Sequence, residues 1–95
     1  MTVKNYQFIS DAGHGWLKVP FNHVQKLGII KEISDCSYVS KDGLYIYLEE
    51  DCDCPFYLKK AGLLNDDGKL DLEKVNVTTT RSNQYSRIRN LNRIN

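Results

Sequence analysis

Residues 44–54, LYIYLEEDCDC, limit what this chain can fold into more than any other stretch, because strand chemistry turns there within a few positions into a cluster of acids and thiols. Leu44, Ile46 and Leu48 alternate with Tyr45, Tyr47 and Glu49, giving one aliphatic side and one aromatic, acidic side. The aliphatic side is expected to be buried. Upstream, Lys41-Asp42-Gly43 forms a turn with Asp-Gly at its heart, and the arms 33–40 and 44–50 are rich in β-branched and aromatic residues. That pattern predicts a hairpin. Downstream, Glu49, Glu50, Asp51 and Asp53 crowd together just before Cys54-Pro55, where a strand end either feeds a site or caps a helix.

The remaining elements follow from local pattern. Residues 5–10 read as a first strand with Tyr6 and Phe8 on one side, stopped by the turn-prone Asp11-Ala12-Gly13-His14-Gly15, and residues 16–19 as a second strand, which predicts a hairpin. Pro20 suits the start of a short helix in which Phe21, Val24 and Leu27 recur at helical spacing before a capping Gly28, with Ile29 and Ile30 continuing the contact. A second short helix runs from Cys54-Pro55 to about Ala61, closed by Gly62. After a turn at 65–68, Leu70 and Leu72 fall on one parity and Val75 and Val77 on the other, so a bulge or helical turn near Glu73 must reconcile them, and Thr78 to Thr80 extend the last strand. In the tail, Tyr85, Ile88, Leu91 and Ile94 are spaced by three, an amphipathic helical stripe that docks or orders on a partner. The class is therefore α+β: a small antiparallel sheet with two short helices packed on one face and a C-terminal amphipathic segment. Residues 1–80 form one domain and 81–95 a basic C-terminal segment.

With 95 residues, a net charge of +1 and ordinary apolar and charged fractions, the chain fits one globular domain rather than a disordered one. No apolar run is long enough to cross a bilayer, and the first residues lack a signal-peptide layout, so a cytoplasmic location and no membrane contact are expected. The three cysteines, Cys36, Cys52 and Cys54, are an odd set that suits reduced thiols better than a secreted disulfide framework. Charge is uneven along the chain: acids gather at 49–53, while Arg81, Arg87, Arg89 and Arg93 lie in a tail without acids.

Each chemical motif has a plainer reading beside it. If the strand continues past Glu49, then Glu49, Asp51 and Asp53 share a face that suits Mg²⁺ or Ca²⁺, but the spacing matches no EF-hand loop, and solvated charges capping a helix are the simpler expectation. Cys36, Cys52 and Cys54 with His14 or His23 offer soft ligands for zinc, yet none has C-x-x-C spacing. Cys54 beside a helix N-terminus has opposing influences on its thiol, the helix lowering its pKa and the carboxylates raising it. His14, between glycines and next to Trp16, is the best single candidate for proton transfer or stacking, although no nucleophile stands near it, and a turn histidine is the plain alternative. His23 is expected at the surface. Arginines near Tyr85, and the hairpin residues Tyr38, Tyr45 and Tyr47, suit phosphate contact and base stacking, against which the acidic cluster and near-neutral charge weigh. No cofactor or resident metal is expected.

Three segments together, Asp11-x-Gly13-His14-Gly15-Trp16-Leu17-x-Val19, Tyr47-Leu48-Glu49-Glu50-Asp51-Cys52-Asp53 and Ser86-Arg87-Ile88-Arg89, resemble small, mostly uncharacterised accessory proteins encoded on phages and plasmids. The resemblance implies work against host machinery, anti-CRISPR proteins being one such class, and carries over no catalytic residue. The expectation is a non-enzymatic module that binds a host protein with a basic surface. Its binding residues would be Glu49, Glu50, Asp51 and Asp53, with Tyr45, Tyr47, His14 and Trp16 as anchors and Arg87 and Arg89 in the tail. Two alternatives stand beside it: a small metal-dependent enzyme using His14 with Asp51 and Asp53, and a nucleic-acid binder using the arginine-bearing tail.

Overall fold

A computed structural model describes residues 3–81, 88 and 91–93. In chain order it contains β1 (Lys4–Ser10), β2 (Gly15–Pro20), α1 (Phe21–Lys26), a 3₁₀ turn (Ile30–Glu32), β3 (Tyr38–Val39), β4 (Tyr45–Glu49), α2 (Asp53–Lys60), β5 (Val75–Arg81) and β6 (Asn92–Arg93). The α+β class is borne out. The strands form one six-stranded sheet in the order β5-β1-β2-β4-β3-β6.

The β1–β2 hairpin forms as expected, with Phe8 opposite Leu17 and Ser10 opposite Gly15. β2 then pairs with β4, Leu17 opposite Leu48 and Val19 opposite Ile46, so one face carries an aliphatic stripe. The sheet is mixed rather than wholly antiparallel. β5 runs parallel to β1 in register from Lys4 opposite Val75 to Ser10 opposite Arg81, a pairing between distant segments that no local pattern announces. The hairpin around Lys41-Asp42-Gly43 also forms, but its first arm is shorter than expected. Only Tyr38 and Val39 pair with β4, and residues 33–37 are turn and coil recruited to hold the start of α2.

Both helices pack on the aliphatic face. The core joins Tyr6, Leu17, Val19, Ile46, Leu48 and Val75 from the sheet to Val24, Ile29, Cys54 and Tyr57 from α1, α2 and the segment between them. With six and eight residues the helices are too short to stand alone, so this burial fixes them. Gly28 and Gly62, at φ 70° and 71°, terminate them in the left-handed conformation that only glycine adopts without strain. The parity change after Leu72 is absorbed as expected by a turn at 72–74, in which Val75 N–H donates to the Asp71 carbonyl at 3.0 Å. The expected helical tail lies mostly outside the described residues. Within it, Ile88 is buried, and residues 92–93 add to the sheet as β6 beside β3.

Candidate functional site

The acidic run does not continue as a strand. The chain turns at 50–52, and this splits the four carboxylates into two pairs. Glu49 and Asp53 are only 5% and 4% exposed, while Glu50 and Asp51 face solvent, so the expectation that all four are displayed outward is corrected for two of them. Buried carboxylates must be hydrogen-bonded, and these are. Glu49 Oε2 accepts the backbone N–H groups of Asp51 at 2.9 Å and Cys52 at 3.0 Å, tying off the turn that leads into α2. Asp53 accepts from Ser34 N–H at 3.0 Å, from Ser34 Oγ at 2.7 Å and from Ser37 Oγ. Ser37, wholly buried, in turn accepts the Glu49 N–H at 3.0 Å. Asp53 therefore serves as the anchor of a serine loop, and the capping position of α2 falls instead to Cys52, whose side chain makes no capping bond.

Beside this knot lies a cleft of about 530 Å³ lined by His14, Trp16, Asp35, Cys36, Tyr38, Glu49, Asp51 and Cys52. His14 is presented by its turn, where Asp11 Oδ1 accepts the N–H groups of Gly13 at 2.9 Å and of His14 at 2.8 Å. Its Nδ1 stands 3.6 Å from Glu49 Oε1, with half of the His14 side chain exposed. Trp16, on the sheet face opposite the helices, is buried at the cleft floor, and its indole N–H reaches the Cys36 carbonyl at 3.4 Å. Cys36 and Cys52, both exposed, bring their sulfurs to 4.0 Å. Hydrogen bonding to Glu49 and to Cys36 holds the Cys52 thiol up at about 11. Burial, with Glu50 and Glu49 adding to it, pushes Cys54 to about 12, which resolves the opposing influences expected there in favour of an inert core thiol.

The remaining candidates fall as follows. Tyr45 and Tyr47 are half-buried on the Trp16 side of β4, Tyr45 under the Lys18 ammonium at 4.3 Å and Tyr47 opposite Lys18 and Tyr38; neither lines the cleft. Arg87 and Arg89 lie outside the described residues. His14 and Asp51 share the cleft, whereas Asp53 does not line it and is committed to serines, so the trio proposed for a metal-dependent enzyme is not assembled in one place. His23 corrects its expected surface role. It is half-buried, and its Nδ1 stands 2.9 Å from the Tyr6 hydroxyl, which is 2.7 Å from the hydroxyl of Tyr57. Sequence reasoning missed Ser34 and Ser37, and it grouped Cys36 with Cys52 only as part of a wider ligand set that included Cys54. The only local signal was the Ser-Asp-Cys-Ser run at 34–37, rich in residues that bond backbone in turns.

Fold and cleft together define a small α+β protein with one acidic, thiol-bearing cleft at the end of its central strands. Comparison with protein-family models, curated proteins and solved structures found no match for the chain. Among the described residues no helix is long and apolar enough to cross a membrane.

Proposed function

We propose that this protein is a non-enzymatic binding module that docks a basic protein surface, in the manner of a mobile-element inhibitor of host defence such as an anti-CRISPR protein. The observation that supports docking is the exposed pair Asp35 and Asp51 on a cleft lined by Trp16 and Tyr38, with exposed Glu50 next to Asp51 just outside it, acids about an aromatic centre. Charges on such a rim steer a basic partner and set its orientation, while the aromatic floor offers an anchor point. The counter-defence role comes from the sequence resemblance, and a nucleic-acid-binding groove of a bacterial effector is the basic surface it implies.

The test is a pull-down from bacterial lysate followed by competition with nucleic acid. We expect a nucleic-acid-binding protein to be retained, to be displaced by its own nucleic acid, and to be lost with Glu50→Gln/Asp51→Asn. These two acids are chosen because Glu49 and Asp53 hold the fold together. Retention of nothing, or of a partner indifferent to both neutralisation and nucleic acid, counts against the reading.

A further inference from the structure

We propose that Cys36, Cys52 and His14 form a binding site for a thiophilic divalent cation of the zinc class, with Asp35 or Asp51 as the fourth donor. This site shares its cleft, and Asp35 and Asp51, with the docking reading but does not depend on it. Three observations carry it. The first is the sulfur pair. Two thiolates on one tetrahedral zinc sit about 3.8 Å apart, given Zn–S bonds of about 2.3 Å, and the Cys36 and Cys52 sulfurs already lie at 4.0 Å, one on the turn before β3 and the other on the turn after its antiparallel partner β4.

The second is the orientation of His14. Zinc-binding imidazoles characteristically give their other nitrogen to a carboxylate, which fixes ring and tautomer. His14 Nδ1 faces buried Glu49 at 3.6 Å, and this leaves Nε2 for a ligand. Glu49 is itself held by the Asp51 and Cys52 N–H groups, so the orienting carboxylate is rigid. The third is location: all of these donors line one cleft of about 530 Å³. Among the described residues, only Glu49, Glu50 and Asp51 have donor atoms all within 4.8 Å of one another, so both the imidazole, turning about its Glu49 contact, and the acidic donor have to move toward the sulfurs. The His14 side chain is half exposed, on a turn that also holds Gly13 and Gly15, with the Trp16 ring 6.1 Å away as its packing neighbour. Cys54 and His23, which the sequence also offered as ligands, are excluded, one by burial in the core and the other by its bond to Tyr6.

Binding releases the two thiol protons to solvent as the Cys36 and Cys52 sulfurs bond to the metal. The experiment is a titration of the reduced full chain with Co²⁺, then displacement by Zn²⁺. We expect one equivalent of Co²⁺ with a thiolate-to-cobalt charge-transfer band and the strong visible bands of tetrahedral cobalt, both bleached by Zn²⁺. Cys36→Ser and Cys52→Ser should each abolish the charge-transfer band or halve it. His14→Ala should weaken binding by about tenfold or more, and Cys54→Ser should leave the spectrum unchanged. Both tested cysteines are exposed, and circular dichroism of the serine variants shows whether the fold persists. Three results overturn the site: no charge-transfer band in the reduced protein, a band that survives loss of both Cys36 and Cys52, or cobalt binding lost only with Glu50→Gln/Asp51→Asn.

Discussion

Single residues in this protein divide sharply between those that hold the fold and those left for a ligand, and the acidic run contains both kinds. Asp53 illustrates the first. Its carboxylate takes hydrogen bonds from Ser34 and Ser37, and without it their buried polar groups lose their partner. Asp53→Ala should therefore cost about 3 kcal/mol in urea unfolding, with Asp53→Asn milder because an amide keeps one acceptor oxygen; a loss within error of zero would mean the serine loop is not anchored there. His23 gives a pH signature. Burial first, then the positive charges of Lys4 and Lys26, lower its pKa from the ordinary 6.5, so the folded protein takes up that proton later than the unfolded chain. Stability from this group is present in full above pH 6.5 and is lost as pH falls through the folded value. The ring Nδ1 also lies 2.9 Å from the Tyr6 hydroxyl, so the charge it gains at low pH bears on that contact. Urea midpoints measured on either side of pH 6.5 should thus fall on the acid side in the native chain, with a shallower fall in His23→Gln.

Between elements, the first hairpin leaves no room for a side chain at Gly15. A Cβ added at Gly15 would come within 2.7 Å of the Phe8 Cε1 atom, because the Phe8 ring lies across the neighbouring strand. Gly15→Ala should cost about 2 kcal/mol by forcing the ring aside, and the same substitution in a Phe8→Ala background should cost clearly less; equal penalties would place the strain elsewhere. At this scale much was readable in the sequence. Strict alternation in β4 marked Ile46 and Leu48 as core, and Gly28 and Gly62 marked both helix ends, because local sterics decide those features. The parallel β1–β5 pairing was not readable, since register between distant strands is set by tertiary packing and leaves no short-range signature. The candidate site was half legible. His14, Trp16 and Asp51 were named and do share a cleft, whereas Glu49 and Asp53 looked like displayed charge because a run of letters does not reveal that the chain turns at 50–52. Cys36 reached Cys52 only through the fold.

For the molecule as a whole, the layout separates two faces with different duties. The helices and the aliphatic stripe make the core on one side of the sheet, while the cleft and Tyr38, Tyr45 and Tyr47 occupy the other side and its rim. One feature of the sheet also bears on how such a chain comes into being. β1 lies between β2 and β5, so Lys4–Ser10, made early, is flanked on one side by Val75–Arg81, made late. On a ribosome the first hairpin emerges with one flank bare, and its amides and carbonyls wait in water until Val75–Arg81 has been made. Assembly of the complete sheet therefore waits on Val75–Arg81, and a product stalled or clipped before them would present an open ribbon to whatever sticky strand lies nearby.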